Sequence, residues 1–303
     1  MNAESLIVAP GSKVSLAEID PSSTGDVTSR EEARPLIEEN VERMTRLQYL
    51  LYADGRQSLL VVVQALDAGG KDGAIRRLFT GMNPQGVEVT SFKQPNNVEL
   101  AHDFLWRAHL AAPAKGMVGV FNRSHYEDVL VVRVHELVPP EVWSQRFDLI
   151  NDFEKTLAHG GTRVLKFYLH ISPEEQLERF RDRLEDPLRR WKISDADYTE
   201  RDRWAQYAAA YEEVLEKTST AHAPWYVIPA NRKWFRDLAI SRIVVDTMDA
   251  MGLKLPPVKV DLNAIRQRYH AEKLEEQAAG KAKGKKKKNA DKGAPNGAGT
   301  KRH

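Results

Sequence analysis

The chain has 303 residues, of which 42% are hydrophobic and 29% charged, and these fractions are ordinary for a soluble globular protein of one large domain or two. It contains no cysteine, which excludes a disulfide framework, a thiolate metal site and a cysteine nucleophile. No apolar run approaches transmembrane length, and the first residues lack the basic and apolar regions of a signal peptide. We therefore expect a cytoplasmic protein that does not enter a membrane.

The formal net charge of +2 conceals an uneven distribution along the chain. Residues 279–303 contain nine Lys and Arg and one Asp, a net charge of +8, which leaves −6 for the remainder. We predict an N-terminal arm over residues 1–28, either poorly ordered or lying along the surface, and a core over residues 29–255. A C-terminal extension over residues 256–303 is expected to be basic and, from about residue 280, disordered.

The core begins with a predicted helix. Ser29 is a candidate N-cap, apolar residues recur at helical spacing over residues 36–51, and Gly55 ends the pattern. Such spacing is more typical of core packing than of a functional surface.

A strand, a glycine-containing loop, a lysine and a helix follow one another in residues 59–79. The apolar run 59–63 predicts a strand buried on both faces. Residues 67–70 form the turn, Lys71 follows, and a helix is expected from about Gly73. This is the layout of a phosphate-binding P-loop, in which backbone N–H groups close around phosphate oxygens and the lysine supplies a mobile cation. An ordinary glycine-rich turn is the alternative.

The loop departs from the usual pattern of Gly, four residues, Gly-Lys and then Ser or Thr. Ala65 stands at the first Gly, and Asp72 stands where a hydroxyl group would bind Mg²⁺. Two carboxylates, Asp67 and Asp72, bracket the loop instead, and carboxylates are good Mg²⁺ ligands. The loop is therefore a candidate site for both phosphate and Mg²⁺.

Four more strands alternate with helices downstream of the loop. Strands are predicted at residues 87–92, 117–121, 164–171 and 225–228, and helices at 99–109, 138–158, 204–218, 233–251 and 262–277, with another beginning at Ser172. This alternation predicts an α/β fold with a parallel five-stranded sheet sandwiched by helices. Ligands of such sheets bind beyond the carboxyl ends of the strands, and Lys71, Lys93, Arg123 and Asp128 all follow strand ends.

Residues 179–199 are rich in arginine, with six Lys and Arg in residues 179–192, and Pro187 interrupts the helix. One interpretation is a solvated helix whose charges pair with one another. We favour a lid, a mobile helical hairpin whose cations close over phosphate groups, which makes sense only for a strongly anionic substrate.

Two histidines differ in their sequence context. His125 lies in the segment NRSHYED and is a candidate substrate contact, whereas His170 lies inside a predicted strand and is expected to pack in the core. Neither has a metal-type partner at fixed spacing, so we predict no zinc site.

Four segments carry a family resemblance: ALDAGGKDG (65–73), FNRSHYEDVL (121–130), DPLRRWK (186–192) and APWYVIPANRKW (223–234). In these segments and their order the chain resembles the polyphosphate kinase 2 family, and within it the subgroup that acts on AMP as well as ADP. The resemblance spans about residues 30–250 and leaves the basic tail outside.

The resemblance implies reversible transfer of a terminal phosphate between inorganic polyphosphate and an adenine nucleotide, with guanine nucleotides as further candidates. It implies a P-loop kinase core with a helical lid, Mg²⁺ as cofactor with Mn²⁺ as a substitute, and assembly into homo-oligomers. Many members that act only on nucleoside diphosphates have Asp-Arg where this chain has Asn122 and Arg123. Because Asn is a neutral, weaker ligand, the metal role passes to Glu127 or Asp128 downstream.

The motifs and the resemblance together assign residues to four roles. The predicted catalytic residues are Asp67, Lys71, Arg123 and Asp128. The predicted Mg²⁺ ligands are Asp67 with Asp128 or Glu127. The predicted nucleotide-binding residues are Asn122, Arg123, His125 and Glu127. Phosphate or polyphosphate is expected to contact Ala68, Gly69, Gly70, Lys71, Asp72, Gly73, Lys93, Arg133, Arg179 and Arg183.

Two rival functions stay open at this point. An ATP-dependent nucleoside monophosphate kinase shares the core and the lid, although such enzymes usually keep Ser or Thr where Asp72 stands. A polyanion- or RNA-binding protein would act through the Lys-rich tail, non-specifically and with steep salt dependence. We expect catalysis to survive deletion of residues 279–303, and nucleic acid to bind only non-specifically through this tail.

Overall fold

The computed structural model describes residues 3–291, which divide into two units at the boundary between Leu255 and Pro256. The first unit contains five strands: β1 (Ser58–Gln64), β2 (Val87–Ser91), β3 (Val118–Asn122), β4 (Thr162–His170) and β5 (Trp225–Pro229). They lie in the order β2-β3-β1-β4-β5, and every neighbouring pair is parallel. The predicted parallel five-stranded sheet is confirmed, and the strand that precedes the glycine loop lies at its centre.

Helices cover both faces of this sheet. The helices of the first unit are α1 (Arg30–Asp54), α2 (Lys71–Phe79), α3 (Asn97–Leu100), α4 (Trp106–Ala111), α5 (Glu127–Val134), α6 (Pro140–Trp143), α7 (Arg146–His159), α8 (Pro173–Glu185), α9 (Asp195–Asp202), α10 (Trp204–Thr218) and α11 (Lys233–Ala250). Helices α1, α2 and α11 pack on one face, and α5, α7 and α10 pack on the other.

The central strand β1 is buried along its whole length. Leu59, Val61 and Val63 face the core under α1, α2 and α11, while Leu60 and Val62 face the opposite core. Full burial of one such side chain contributes about 1.5–3 kcal/mol. The loop that follows β1 therefore starts from a rigid base.

The predicted helix caps are confirmed at two helices. Ser29 accepts a hydrogen bond from the N–H group of Glu32 at the start of α1, and Gly55, with a φ of 63°, ends that helix. Ser172 accepts in the same way from the N–H group of Glu175 at the start of α8. Each cap satisfies a backbone donor that the helix itself leaves unpaired.

Three helix predictions differ from the structure. The helix expected over residues 99–109 is two short helices, α3 and α4, because the carboxylate of Asp103 accepts from the N–H group of Leu105 and turns the chain between them. The helix expected over 138–158 is likewise divided into α6 and α7. Helix α5 was not predicted, because its residues lie in the motif segment 121–130 and were interpreted by their chemistry.

The N-terminal arm lies along the outer strand β5. The N–H group of Val8 donates to the carbonyl oxygen of Trp225 at 2.8 Å, and Ile7 forms an antiparallel bridge with Tyr226. Leu16 is buried in the core, and its N–H group donates to Glu212 at 2.8 Å. Of the two alternatives for residues 1–28, the structure has the surface-lying arm over the described residues 3–28.

The second unit contains one long helix, α12 (Leu262–Asp291). The helix predicted over residues 262–277 is present and continues further, so the backbone of residues 280–291 is helical where we expected disorder. Residues 292–303, which carry the rest of the basic tail, lie outside the described residues. Among residues 3–291, no helix is both long and apolar enough to cross a membrane.

Candidate active site

The loop between β1 and α2 begins at the carboxyl end of the central strand. Ala68, with a φ of 57°, and Gly70, with a φ of 100°, have left-handed backbone conformations. A side chain at Gly70 would be strained by this φ, and its Cβ atom would lie 2.4 Å from Nη1 of Arg236, so the arginine would have to move. This tight turn brings the N-terminus of α2 to the end of β1, where its N–H groups and helix dipole favour an anion.

Lys71, the first residue of α2, is buried against its own loop. Its Nζ atom donates to the carbonyl oxygen of Ala65 at 2.7 Å and to that of Leu66 at 3.4 Å. Burial, followed by the charge of Arg123, lowers the pKa of Lys71 to about 8 against the raising effect of nearby carboxylates. A phosphate group in the loop would compete with these two carbonyl oxygens for the ammonium group.

Asp67, Arg123 and Glu127 form a charged cluster beside the loop. Nη2 of Arg123 lies 2.8 Å from Oδ1 of Asp67, and its Nη1 lies 3.8 Å from Oε2 of Glu127. Gln64, the last residue of β1, donates to Oε1 of Glu127 at 3.0 Å. Arg123 itself has a φ of 59°, which is uncommon for a residue other than glycine. The structure thus brings together residues predicted from two separate motifs.

Asp72 connects the loop to β3 and to the arginine-rich segment. Its Oδ1 atom accepts from Nδ2 of Asn122 at 2.9 Å, and its Oδ2 atom accepts from Nζ of Lys192 at 3.0 Å. Burial alone would raise the pKa of Asp72, but the hydrogen bonds from Asn122 and Lys192 lower it below its usual value. Asp72, which replaces the usual Ser or Thr, is therefore a charged residue that links the loop to β3 and to the arginine-rich segment.

Arg179 supports the loop from α8, with a side chain that is almost completely buried. Its guanidinium group donates to the carbonyl oxygens of Ala68 at 2.9 Å and Ala230 at 2.5 Å, and to Oε1 of Glu175 at 2.7 Å. We predicted a polyphosphate ligand at this position. The contacts instead place Arg179 among protein oxygens, so we revise its role to holding the loop.

Two further loop supports were missed by the sequence analysis. Arg236 on α11 donates to the carbonyl oxygen of Gly70 at 3.2 Å and pairs with Asp237 at 2.6 Å. Gln176 on α8 donates to the carbonyl oxygen of Asp67 at 2.9 Å. The signal available in the sequence was a charged residue, Arg236, at the apolar spacing of a core helix. Its contact with the loop depends on helix packing that the sequence does not reveal.

Asp128 faces away from the charged cluster. Its carboxylate lies 3.5 Å from Nη2 of Arg107 and 3.5 Å from Nη1 of Arg146, and Arg146 also donates to its carbonyl oxygen at 2.9 Å. Burial raises the pKa of Asp128 above its ordinary value, although the two arginines oppose this. The Asp128 carboxylate thus contacts Arg107 and Arg146 and none of the loop residues, so the predicted catalytic and Mg²⁺ roles of Asp128 do not fit this geometry.

His125 is completely buried, and Nε2 of its ring lies 3.3 Å from Oε1 of Glu154. A side chain with no exposed surface does not reach a nucleotide, so the predicted nucleotide contact of His125 is not supported. His170 is also buried, and its Nε2 lies 3.1 Å from the carbonyl oxygen of Ile19, as expected for a core histidine.

Lys93 lies exposed at the end of β2. It borders a cavity of about 310 Å³ that is also lined by Ser91, Asn96 and Arg107. Ser91 pairs in register with Asn122 on the neighbouring strand, so this cavity adjoins the carboxyl end of β3. The position of Lys93 is compatible with the predicted cationic path.

The other two predicted phosphate-binding arginines are engaged elsewhere. Arg133, near the end of α5, pairs with Glu213 and lies 4.6 Å from the ring centroid of Trp143. Arg183 pairs with Asp197 at 3.1 Å and donates to the carbonyl oxygen of Lys192 at 3.0 Å. Arg183 therefore braces the arginine-rich segment internally.

The arginine-rich segment forms a helical hairpin, as expected for a lid. Helix α8 ends at Glu185, a 3₁₀ helix spans Arg190–Lys192, and α9 returns. At its tip, Leu188 is 84% and Trp191 78% exposed. The ion pair between Lys192 and Asp72 joins the hairpin to the loop across 120 residues of sequence.

Carboxylate oxygens are the available metal ligands at the loop. Across residues 3–291, no group of three or more His, Cys, Asp or Glu side chains is arranged to hold a metal ion. Asp67, Asp72 and Glu127 nevertheless supply hard oxygen ligands next to the loop. Mg²⁺ in kinases is usually held by one or two carboxylates together with substrate phosphates and water, and this donor set fits that arrangement.

Comparison with protein families gives one match. A family model described as polyphosphate kinase 2 (PPK2) matches residues 27–256, which contain the sheet, the loop and the hairpin. The Lys-rich tail from residue 279 lies outside the match.

Two relatives of similar length align over most of the chain. An AMP/ADP-polyphosphate phosphotransferase of Meiothermus ruber is 48% identical over 253 residues, covering 82% of this chain and 94% of the relative. An ADP-polyphosphate phosphotransferase of Rhodopseudomonas palustris is 42% identical over 261 residues, covering 82% of this chain and 90% of the relative.

A solved structure agrees in fold. The crystal structure of polyphosphate kinase 2 from Arthrobacter aurescens superposes with a TM-score of 0.86 at 41% identity, covering 89% of this chain and 96% of that one. Sequence and fold therefore indicate the same family.

Proposed function

Because the chain belongs to the polyphosphate kinase 2 family, we propose that it transfers the terminal phosphoryl group of inorganic polyphosphate to AMP and to ADP, reversibly. The observation that carries this proposal is the placement of the Lys71 loop beside the pair Asp67–Arg123, in a chain that matches the family over residues 27–256. The relatives' names supply the substrates, and the loop geometry supplies the chemistry.

Phosphoryl transfer depends on positioning and on neutralising charge rather than on covalent help from the protein. An oxygen of the acceptor nucleotide's phosphate attacks the terminal phosphorus of polyphosphate. The bond from that phosphorus to its bridging oxygen breaks, and polyphosphate is released one phosphate shorter. The nucleotide phosphate is already anionic at neutral pH, so no strong general base is required.

Lys71 and the loop N–H groups would hold the terminal and adjacent phosphates. For this, Nζ of Lys71 exchanges its contacts with the carbonyl oxygens of Ala65 and Leu66 for phosphate oxygens. Arg123, fixed by its ion pairs with Asp67 and Glu127, offers its guanidinium to the equatorial oxygens of the transferring group. Asp67 is also placed to orient the attacking phosphate.

We propose Mg²⁺, or Mn²⁺ in its place, as the metal that the reaction requires. Asp67 and Glu127 would hold it, with Asp72 as a further oxygen ligand. The ion neutralises charge on the phosphate oxygens that it contacts. Asp128 is left out because its carboxylate faces Arg107 and Arg146.

The lid would close over the polyanion with Lys192, Arg189 and Arg190, which lie at the exposed tip of the hairpin. Lys93 at the end of β2 extends the cationic path on the other side. Such a path attracts a polyanion over a range that salt shortens, so activity on polyphosphate should fall with ionic strength.

Asn122 and Arg123 are proposed to contact the nucleotide. Asn122 donates to Asp72, so the residue that distinguishes this chain from the diphosphate-specific members lies directly at the loop. Adenine nucleotides are the proposed acceptors, with guanine nucleotides as further candidates. We also propose a homo-oligomer located in the cytoplasm.

The test incubates purified protein with polyphosphate, Mg²⁺ and AMP, free of ATP, and follows ADP and ATP by chromatography, with Lys71→Ala as the matched control. Formation of ADP and then ATP by the wild type alone supports the proposal. Product from ADP but none from AMP would move the chain to the diphosphate-specific subgroup. No product from either nucleotide would favour an ATP-dependent monophosphate kinase or a polyanion-binding protein.

A further inference from the structure

A fully buried cluster of four polar side chains lies beneath the segment that carries Arg123. His125, Tyr126, Glu154 and Lys166 each have 0% exposure, and they come from the turn before α5, from α7 and from β4. Nζ of Lys166 lies 2.5 Å from Oε2 of Glu154 and donates to the hydroxyl group of Tyr126 at 2.8 Å. We refer to these four residues as the buried ion-pair cluster.

Glu154 is the centre of this cluster. Its Oε1 atom accepts from the hydroxyl group of Tyr126 at 2.9 Å and lies 3.3 Å from Nε2 of His125. Burial alone would raise the pKa of Glu154, but the charge of Lys166 and the hydrogen bond from His125 lower it below its ordinary value. Burial lowers the pKa of Lys166, and the charge of Glu154 and the hydrogen bond to it oppose this. The 2.5 Å separation of Nζ and Oε2 makes the two side chains a buried ion pair.

A buried ion pair is a poor way to stabilise a fold. Desolvation of both charges offsets most of their attraction, and apolar replacements of similar volume are often equally stable or more stable. Stability alone therefore does not account for Glu154 and Lys166 at the centre of an apolar core. Their contacts with His125 and Tyr126 suggest that they control where these two neighbouring residues lie.

His125 and Tyr126 follow Arg123 by two and three residues, and Glu127 comes next. The side chains of residues 124–126 are fully buried, while Arg123 and Glu127 reach the loop cluster. Arg123 has a left-handed backbone, with a φ of 59°, which costs free energy for a residue with a side chain. Such a conformation persists only when the surrounding structure fixes it.

We propose that the buried ion-pair cluster is a positioning device for Arg123: it holds the backbone of residues 122–127 so that the guanidinium group meets Asp67 beside the phosphate loop. Glu154 and Lys166 are thus positioning residues that never touch substrate. The proposal rests on the proposed function, since it concerns the geometry of the same site.

The test is a kinetic double-mutant cycle between the cluster and Arg123. The cluster variant is Glu154→Gln with Lys166→Met, which removes both charges and keeps shape. We expect kcat with polyphosphate and ADP to fall about tenfold with little change in KM for polyphosphate. In an Arg123→Ala background, the same cluster variant should have almost no further effect, because the residue that it positions is gone.

The proposal is overturned if the effects of the cluster variant and of Arg123→Ala on kcat are independent, so that the two factors multiply. If the cluster variant lowers kcat by the same factor with and without Arg123, or leaves kcat unchanged in a folded protein, the cluster does not act through Arg123. A wild type without polyphosphate-dependent activity would overturn the proposed function instead, so the two failures are distinguishable.

A matched control and a milder variant keep the test decisive. Asn40→Ala with Ser241→Ala removes a buried hydrogen bond of 3.1 Å between α1 and α11, on the other face of the sheet, and should lower stability without changing kcat. If Glu154→Gln/Lys166→Met does not fold, Tyr126→Phe removes only the hydroxyl contacts. We expect Tyr126→Phe to lower kcat less in the Arg123→Ala background than in the wild type. If it lowers kcat by the same factor in both backgrounds, the proposal is overturned.

Discussion

The phosphate loop, residues 65–73, and the turn at residues 122–127 are both held in an uncommon backbone conformation, but by different contacts. Each contains a residue with a side chain in a left-handed conformation, Ala68 in the loop and Arg123 in the turn. The loop is held from outside, by arginines on α8 and α11 that donate to its carbonyl oxygens. The turn is held from below, by side chains that it buries itself.

The difference follows from what each segment must leave free. In the proposed function the loop offers its N–H groups to phosphate, and its supports bind the carbonyl oxygens and leave those donors available. The turn presents the side chains of Arg123 and Glu127, and its supports contact the buried residues between them, His125 and Tyr126. Loop and turn should therefore respond differently when a support or a charge is removed.

Removing the Arg179 side chain tests whether the loop depends on its external supports. Arg179→Met should lower the free energy of unfolding by about 3–5 kcal/mol, because Glu175 and two carbonyl oxygens lose a buried charged partner. Urea denaturation measures the effect. Arg133→Met is the matched control, since that half-buried arginine pairs with Glu213 and should cost only about 1 kcal/mol. Equal losses for both variants would contradict the support role.

Removing Lys71 takes away the ammonium group of the loop and its two contacts with the carbonyl oxygens of Ala65 and Leu66. Lys71→Ala should lower kcat/KM for polyphosphate by about 10²–10³-fold, the usual cost of losing one donor that stabilises transferring oxygens. Steady-state assays measure this, and circular dichroism should show an unchanged fold. A loss smaller than tenfold would mean that the loop N–H groups, rather than the ammonium, carry phosphate binding.

pH separates the two cations, because only the loop cation titrates in an accessible range. With the pKa of Lys71 at about 8, kcat/KM for polyphosphate should fall about tenfold per pH unit above that value, while Arg123 stays charged. Bound phosphates favour the ammonium form, so the corresponding fall in kcat should come at higher pH. The pH dependence of kcat/KM and of kcat measures both falls. A flat profile to pH 10 would contradict the prediction that charged Lys71 is the active form.

The stability effect of Lys71 has the opposite sign. Between the folded pKa of about 8 and the ordinary value of 10.5, the unfolded chain binds more protons at this residue than the folded chain. Its contribution to the free energy of unfolding therefore rises with pH across that window, while activity falls. Denaturation of wild type and Lys71→Met at pH 8 and pH 10 isolates this contribution.

The smallest expected effect concerns the contact that joins the lid to the loop. Lys192→Ala removes the 3.0 Å ion pair with Asp72, which is partly exposed and therefore worth less than about 1 kcal/mol to the fold. We expect a few-fold rise in KM for polyphosphate, weakening as salt is added. Lys155→Ala, an exposed lysine on α7, is the control. If both variants raise KM for polyphosphate equally, the effect reflects the loss of one positive charge anywhere on the surface and not the contact with Asp72.

The sheet and the loop were predictable because their signals are local. A continuous apolar run such as residues 59–63 fits a central parallel strand, and the helix caps at Ser29 and Ser172 are side-chain effects within four residues. The divided helices were not predictable in the same way. Asp103 ends a pattern of apolar spacing by one hydrogen bond, which the spacing itself does not encode.

The site residues were predictable where two sequence motifs meet at the loop. They were not predictable where burial in the folded core determines the contacts of a side chain. Asp67, Lys71, Arg123 and Glu127 were all predicted, and the structure brings them together. Arginines look alike in a sequence, whereas Arg179 turns out to face carbonyl oxygens that only the packing of α8 brings within reach.

Asp128 and His125 show the same limit. Both lie in a motif with catalytic chemistry, yet the turn before α5 buries His125 against Glu154, and the first turn of α5 places Asp128 against Arg107 and Arg146. The sequence predicts which side chains the segment contains, and the helix direction decides which of them face substrate.

The arm along β5 also guards the sheet against other chains. An outer strand exposes unpaired N–H and C=O groups that can add a strand from another molecule. The N–H group of Val8 and the bridge from Ile7 to Tyr226 occupy part of that border on β5. The opposite border strand, β2, is equally short at five residues but carries the exposed charge of Glu88. Removing residues 1–8 would therefore uncover a template for aggregation on the β5 border of the sheet only.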